Sequence, residues 1–232
     1  HLPGVMTTGA AQTLWRTARR LPGRRVLIAG NGPLNLQLAA ELVGGGAEVV
    51  AVVEAGRHPA RAVAPVAAMA LASPALVADG VRYHLRRLRA GVPMLHNSVV
   101  AGIEAVSGGL AITLAPAAGP GPRQRFEADI LCLGYGFEPS NELLRAVGCR
   151  HDLDPDQGRL VTRRDAAGRT SVPGVYALGD CTAMGGAHVA AADGLVAGFT
   201  AAADLGHGLP PALERELRAA MALGARHRRF QR

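Results

Sequence analysis

The segment Arg24-Arg-Val-Leu-Ile-Ala-Gly30-Asn-Gly-Pro-Leu-Asn35 decides the fold of this 232-residue chain. Its first part, Arg24 to Gly30, predicts a buried strand, and residues from Pro33 to Val43 carry apolar side chains at helical spacing. Gly44-Gly-Gly46 ends that helix, and Glu48 to Glu54 predicts a second buried strand. A strand, a glycine turn, a helix and a strand within about 30 residues form a βαβ unit, which predicts an α/β fold.

The turn between this strand and helix has glycines where a bound pyrophosphate would require them. Gly30 permits the tight turn, and Gly32 lets backbone N–H groups approach the pyrophosphate at the helix N-terminus. Glu54 lies 24 residues after Gly30, where a carboxylate would hold an adenosine ribose and favour NAD over NADP. Asn35 stands at the third glycine position, so an empty structural loop is the alternative. The candidate cofactor-binding residues of this turn are Gly30, Asn31, Gly32, Pro33, Leu34 and Glu54.

The middle of the chain predicts a long helical stretch followed by a small antiparallel sheet. Arg61 to Ala90 is expected to be mostly helical. Ser98 to Val106, Leu110 to Leu114 and Arg125 to Ala128 have the pattern of a three-stranded β-meander. Ile130 to Leu133 predicts another buried strand, which ends at Gly134.

The last hundred residues contain the stretch Ser171-Val-Pro-Gly-Val-Tyr-Ala-Leu-Gly-Asp180. Before it, His151 to Arg159 predicts a polar turn. Val175 to Leu178 predicts a short buried strand that ends at Gly179 and Asp180. In open α/β sheets ligands lie beyond the carboxyl ends of strands, so Asp180 is expected to accept a hydrogen bond from a cofactor hydroxyl. Gly186 is expected to open a helix with Ala187 and His188 in its first turn, and His188 is interpreted as a packing residue or an acid–base group.

Composition excludes several other classes of protein. Hydrophobic residues make up 49% of the chain, and no uncharged apolar run approaches the ~18 residues of a membrane span. All 25 cations are arginines, scattered along the chain with few aromatics, so nucleic-acid binding is not expected despite the charge of +7. Three widely spaced cysteines without a CxxC pair predict neither a disulfide framework nor a metal site. No signal peptide is visible, so a cytoplasmic location is the default expectation.

Three motifs together resemble one superfamily, the flavoprotein oxidoreductases with two dinucleotide-binding domains (pyridine nucleotide-disulfide oxidoreductases). These motifs are the Gly30 turn, the crossover Gly134-Tyr-Gly-Phe-Glu-Pro139 and the stretch that ends at Asp180. The resemblance implies a Rossmann-like three-layer FAD/NAD(P)-binding fold with a small β-meander. It also implies FAD as cofactor, held by Asp180 on its ribityl chain, with NAD or another adenine nucleotide at the Gly30 turn. The implied FAD contacts are Gly134, Gly179, Asp180, Gly186, Ala187 and His188, and no residue is assigned a catalytic role.

A closer similarity is to the FAD-containing α-type subunit of opine oxidases, which proline/hydroxyproline dehydrogenases and hydrogen cyanide synthases share. It is carried by Gly4-Val-Met-Thr-Thr-Gly-Ala-Ala-Gln-Thr-Leu14, by residues 30–42 and by the crossover at residues 134–140. The resemblance implies an electron-transfer subunit in a hetero-oligomer, whose second flavoprotein subunit oxidises an amine or imino acid. The alternatives are an NAD(P)H-dependent flavoprotein reductase and a non-catalytic nucleotide-binding subunit.

The chain departs from the family pattern at both ends. The N-terminal fingerprint for the FAD pyrophosphate and the cysteine-rich iron–sulfur domain are absent from these 232 residues, so we expect a truncated chain that is inactive alone. The expected organisation has residues 1–22 as a link and helix from the FAD domain, with a short basic helix from Leu14 to Leu21. Residues 23–133 form an NAD(P)-binding-type domain, and residues 134–232 form the C-terminal half of the FAD-binding domain.

Overall fold

The computed structural model of the chain describes residues 2–57, 74–155, 158–182, 185–208 and 211–228. Part of the predicted helical stretch, residues 61–73, therefore lies outside the described residues. The chain divides into two compact units, the first ending at Gly136 and the second beginning at Phe137. The predicted domain limits at residues 22 and 133 remain a prediction.

The elements are numbered along the chain. The strands are β1 (Val5–Thr7), β2 (Arg25–Gly30), β3 (Glu48–Glu54), β4 (Met94–Leu95), β5 (Ser98–Val106), β6 (Gly109–Pro116), β7 (Gln124–Ala128), β8 (Ile130–Gly134), β9 (His151–Asp154) and β10 (Arg159–Thr162). The helices are α1 (Thr8–Ala18), α2 (Pro33–Gly44), α3 (Pro74–Arg89), α4 (Glu142–Ala146), α5 (Gly186–Asp204) and α6 (Pro211–Arg228).

The first unit is built on a parallel sheet of five strands in the order β1-β8-β2-β3-β4. The predicted βαβ unit is confirmed as β2, α2 and β3, and the predicted meander is confirmed as the antiparallel sheet β5-β6-β7. The expected α/β fold with a parallel sheet and a small antiparallel sheet is therefore confirmed.

The parallel sheet lies between a helical layer and the meander, and alternating side chains of β2 pack into each of them. Val26 and Ile28 pack with Leu38 and Leu42 of α2 in one apolar cluster. The intervening Leu27 and Ala29 pack in a second cluster with Leu110, Ile112 and Leu114 of β6. Because successive strand residues point to opposite faces, the helices cover one face of the sheet and the meander covers the other.

The first helix differs from the sequence prediction. The sequence predicts a short helix from Leu14 to Leu21, but α1 begins six residues earlier, at Thr8. The hydroxyl of Thr7 accepts a hydrogen bond from the backbone N–H of Ala10 at 3.1 Å, which caps the N-terminus of the helix. This helix directly follows β1, so both elements belong to the first unit.

The second unit corrects two further predictions. Val175 to Leu178 does not form a sheet strand: within the described part of this unit, Tyr176 makes an isolated bridge to Arg169. An apolar run becomes a strand only where another strand pairs with its backbone, and the described residues here provide one two-stranded sheet, β9-β10. The segment His151 to Arg159, predicted as a polar turn, instead contains β9 and the start of β10. The helix predicted after Gly185 is confirmed as α5.

Candidate functional site

The register of the parallel sheet aligns three of the predicted site residues. Gly30 at the end of β2 pairs with Gly134 at the end of β8 and with Glu54 at the end of β3. Three residues from distant parts of the chain therefore form one row at the carboxyl edge of the sheet. This edge is where ligands bind in open α/β folds.

Gly30 is required by the packing of the strand ends. A Cβ built on Gly30 would lie 2.0 Å from the carbonyl oxygen of Gly134, a contact that no side chain can make. The same carbonyl oxygen accepts a hydrogen bond from the backbone N–H of Asn31 at 2.8 Å. The first glycine of the turn is therefore explained by architecture, whether or not a nucleotide binds.

Asn35, at the third glycine position, is a buried connector between three elements. Its side chain is 1% exposed, its Nδ2 donates to the carbonyl oxygen of Gly134 at 3.0 Å, and its Oδ1 accepts from the hydroxyl of Thr8 at 2.9 Å. The side chain thus joins α2 to β8 and to the start of α1. Thr8 was not predicted as part of the site, because a threonine before an apolar helix is common and is a weak signal.

Gly32 is the glycine that leaves room for a ligand. Its φ of +99° and ψ of 171° form a conformation that glycine adopts without strain, and a Cβ placed there would meet no atom within 4 Å. The helix α2 begins at the next residue, Pro33, without a side-chain cap. Asn31 and Pro33 are exposed and Leu34 is half-buried. An open glycine at an uncapped helix start fits a phosphate or pyrophosphate group, which the helix N-terminus attracts.

Glu54 is held directly beside this turn. Its Oε1 accepts a hydrogen bond from the backbone N–H of Gly32 at 3.1 Å. Burial raises the pKa of the Glu54 carboxyl, and the hydrogen bond from Gly32 partly opposes that effect. A carboxylate has about four acceptor positions, so this half-buried group retains capacity for the hydroxyl donors of a ribose. The predicted partnership of the glycine turn with Glu54 is therefore geometrically consistent.

The predicted site residues Gly179 and Asp180 lie in the second unit. They belong to a one-turn 3₁₀ helix formed by Gly179–Cys181. The Asp180 side chain is exposed. Two contacts that the sequence did not predict fix this turn. The backbone N–H of Ser140 donates to the Asp180 carbonyl oxygen at 3.0 Å, and the buried hydroxyl of Thr162 donates to the Cys181 carbonyl oxygen at 2.9 Å. Asp180 therefore presents its carboxylate from an anchored turn, rather than from the predicted strand end.

The start of α5 contains the remaining predicted residues. Gly186 has φ of +73°, and Gly186, Ala187 and His188 are all exposed. The helix has no side-chain cap at Gly185, so its first turn presents backbone N–H groups. An ion pair between the buried Asp193 of this helix and the partly buried Arg164, with a distance of 2.6 Å, fixes α5 against the preceding loop.

Metal-ligating side chains and cysteines are dispersed in the described ranges. No group of three or more metal-ligating side chains occurs among these residues. The cysteines Cys132, Cys149 and Cys181 are unpaired, and burial raises the pKa of the Cys132 thiol to about 12. Within the same ranges, every helix is too short or too polar to cross a bilayer.

Comparison with known proteins identifies the family to which the chain is similar. The family model described as pyridine nucleotide-disulphide oxidoreductase matches residues 2–194. An opine oxidase subunit of Agrobacterium tumefaciens is 34% identical over 88% of this chain and 40% of its own length. Hydrogen cyanide synthase subunit HcnB of Pseudomonas protegens is 28% identical over 86% of this chain and 43% of its own. The chain thus spans about 40% of the length of these curated relatives.

Among solved structures, a thioredoxin reductase from T. acidophilum matches with a TM-score of 0.60 and 21% identity. The match covers 87% of this chain and 57% of the reductase. At that level of identity the likeness concerns the fold, which agrees with the parallel sheet and meander described above.

Proposed function

The chain belongs to the pyridine nucleotide-disulphide oxidoreductase family, and from that premise we propose that it is part of a flavin-dependent amine or imino-acid dehydrogenase. The observation that carries this proposal is the 34% identity to an opine oxidase subunit along 88% of the chain. The alignment of Gly30, Glu54 and Gly134 supports it, because these residues lie at the carboxyl edge of the sheet, where ligands bind in open α/β folds.

The proposed cofactors are FAD and an adenine nucleotide such as NAD. FAD, when bound, supplies the two-electron oxidation of a C–N bond. Asp180 would accept a hydrogen bond from its ribityl chain, and the uncapped start of α5 would stabilise negative charge on the reduced ring. Gly32 would admit the pyrophosphate of the adenine nucleotide to the start of α2, and Glu54 would hold the ribose hydroxyls.

The proposed protein partner is a second flavoprotein subunit that carries the amine or imino-acid substrate. Both relatives are named as single subunits of their enzymes, opine oxidase and hydrogen cyanide synthase, which supports a hetero-oligomer. In this arrangement the present chain positions cofactors, and its exposed carboxylate at Asp180 and open glycine turn at Gly32 are binding features rather than acid–base groups.

A nucleotide titration tests the part of the proposal that this chain carries. Isothermal titration with NADH should show binding to the wild-type chain. Glu54→Gln should weaken that binding about tenfold, because a charged hydrogen-bond acceptor for the ribose is lost. Glu48→Gln is the matched control, since Glu48 lies at the opposite, exposed end of the same strand. Equal affinity in all three proteins would refute the ribose role of Glu54.

A second experiment tests the dehydrogenase role of the parent protein. The full-length subunit, purified with its partner, should show the visible absorbance of bound flavin, and that absorbance should bleach anaerobically on addition of an opine or proline-type substrate. Substitution of Asp180 by Asn should lower flavin occupancy, whereas substitution of the exposed Asp165 by Asn should not. A colourless complex would overturn the proposal.

The geometry at Glu54 also favours a second candidate, an NAD(P)H-dependent flavoprotein reductase. The Glu54 carboxylate lies beside the open Gly32 turn, as an active pyridine nucleotide site requires. NADH should then bleach the flavin of the full-length protein in the absence of any amine. Bleaching by the amine alone would favour the dehydrogenase, and NADH binding without bleaching by either would favour a non-catalytic subunit.

A further inference from the structure

Helix α3 presents an apolar stripe that nothing in the described part of the chain covers. Val81, Leu85 and Leu88 are 53%, 45% and 52% exposed, and Ala78 is exposed as well. Most large apolar side chains in the described part of the first unit are buried in its two clusters, so three exposed ones on a single helix face are unusual.

The spacing of the stripe is that of a helix-pairing seam. Ala78, Val81, Leu85 and Leu88 follow one another at intervals of three, four and three residues, which is the a/d pattern of a heptad repeat. This pattern places the four side chains along one side of the helix, where a second helix can pack between them. Three members of the stripe, Ala78, Val81 and Leu85, line a shallow groove together with Arg82, Arg86 and Arg89.

A different face of helix α3 packs against the rest of the first unit. The exposed stripe is therefore not the face with which the helix joins the core. Arg87 is 6% exposed, and its guanidinium donates a hydrogen bond to the carbonyl oxygen of Val92, the residue that follows the turn after the helix. Burial lowers the pKa of this guanidinium. The helix also packs against α2. The exposed stripe is therefore available while α3 keeps its place in the fold.

The charges beside the stripe define the chemistry of what can bind there. Arg82 and Arg89 follow the d residues Val81 and Leu88 at e positions of the heptad, and Arg86 also borders the groove. The described length of α3 contains one acidic residue, Asp79, which pairs with Arg82 at 2.9 Å between half-exposed side chains. Such an exposed pair contributes little and leaves the flank basic.

We propose that this face of α3 docks an acidic amphipathic helix of a partner subunit. Apolar residues of the partner helix would pack between Val81, Leu85 and Leu88, and its carboxylates would lie beside Arg82 and Arg89. The inference deepens the hetero-oligomer of the proposed function, on which the existence of that partner rests. A second copy of this chain is disfavoured, because it would place the same arginines against each other.

A membrane surface is also disfavoured as the occupant. Basic amphipathic helices that lie in bilayers usually insert tryptophan or phenylalanine with leucine. The stripe on α3 has alanine, valine and leucine, which suit close packing against another helix.

Two designed helical peptides of about three heptads provide the probes. Both have leucine at a and d, one has glutamate at e and g, and the other has lysine there. Fluorescence anisotropy with the 232-residue chain should show the glutamate peptide binding at least about tenfold more tightly than the lysine peptide. The double substitution Arg82→Glu and Arg89→Glu should reverse that preference.

Matched leucine substitutions separate this surface from general charge attraction. Leu85→Asp should weaken binding of the glutamate peptide at least about tenfold, whereas Leu143→Asp, at an exposed leucine of the second unit, should leave it unchanged. Circular dichroism checks that both variants fold.

The inference is overturned if Leu85→Asp binds like wild type or the charge exchange does not reverse the preference. It is also overturned if the chain binds anionic phosphatidylglycerol vesicles and Leu85→Asp abolishes that binding. Self-association of the chain in sedimentation experiments that Leu85→Asp abolishes would overturn it as well. Flavin occupancy of the full-length protein is a separate readout, so failure of one proposal does not imply failure of the other.

Discussion

Replacing Asn35 by glycine, which would complete the three-glycine fingerprint, should destabilise the first unit. The Asn35 side chain is 1% exposed and has two hydrogen bonds, from the hydroxyl of Thr8 at 2.9 Å and to the carbonyl oxygen of Gly134 at 3.0 Å. The Thr8 side chain is equally buried. Removing the amide therefore leaves a buried hydroxyl without its acceptor and opens a void between α2 and α1.

The expected cost follows from these contacts. Loss of the acceptor for the Thr8 hydroxyl costs about 1–3 kcal/mol. The Gly134 carbonyl oxygen keeps its bond from the backbone of Asn31 at 2.8 Å, so that loss is smaller. With the lost packing, Asn35→Ala should lower the free energy of unfolding by about 2–4 kcal/mol. Asn35→Gly should cost about 1 kcal/mol more, because glycine is a poorer helix former than alanine.

Urea titration followed by tryptophan fluorescence measures this quantity in the correct part of the molecule. Trp15 is the sole tryptophan of the chain, and it packs against the helix-side cluster of the first unit. Thr8→Val and the double variant with Asn35→Ala complete a thermodynamic cycle, whose coupling free energy should be about 1 kcal/mol. Asn31→Ala, in the same turn but exposed, is the control and should stay within about 0.5 kcal/mol of wild type.

An Asn35→Gly chain as stable as wild type would refute this reasoning. It would mean that α2 moves closer to β8 when the side chain is removed, and that the two buried hydrogen bonds contribute nothing net. A zero coupling with Thr8→Val would refute the hydrogen-bond part alone and leave the packing part in place.

Three other predictions concern the turn and a surface carboxylate. Gly30→Ala should cost more than about 3 kcal/mol, because its Cβ would lie 2.0 Å from a backbone oxygen. Gly32→Ala should cost about 1–3 kcal/mol from its backbone conformation alone, and the same urea titration measures both. Burial raises the pKa of Glu54, so NADH affinity by calorimetry should increase as the pH rises above about 4.5 and the carboxyl ionises. The hydrogen bond from Arg169 lowers the pKa of Asp204 to about 2. The ionised Asp204 therefore stabilises the fold above pH 3.8, its pKa in the unfolded chain, and this stabilisation is lost as the pH falls towards 2. Asp204→Asn should therefore make the melting temperature depend less on pH in this range.

The first unit was predictable because its signals are local and repeated. The apolar run of β2, the glycine turn and the helical spacing of α2 each predict one element, and their order predicts the parallel sheet. The start of α1 was missed because Thr7 looks like part of a loop until its hydroxyl is seen to cap Ala10. A cap of this kind depends on a single hydrogen bond and leaves no periodic pattern in the sequence.

The second unit shows where pattern alone is insufficient. Val175 to Leu178 has the composition of a buried strand, yet only Ala177 of the run is fully buried and only Tyr176 forms a bridge. Strand formation depends on neighbouring backbone, which composition cannot specify. The anchoring of the Asp180 turn by Ser140 and Thr162 is likewise a long-range feature, because both partners lie far from the turn along the chain.

The substitution at the third glycine position and a working nucleotide site are compatible, because the two lie on opposite sides of β2. The amide of Asn35 is directed to Gly134, on β8. The open turn at Gly32 is joined to Glu54, on β3, and the sheet order places β8 and β3 on either side of β2. The asparagine therefore takes over the packing role of the third glycine without entering the side where a ribose and pyrophosphate would bind. On this argument Asn35→Ala should weaken NADH binding far less than Glu54→Gln does, when both are measured on protein that is shown to be folded.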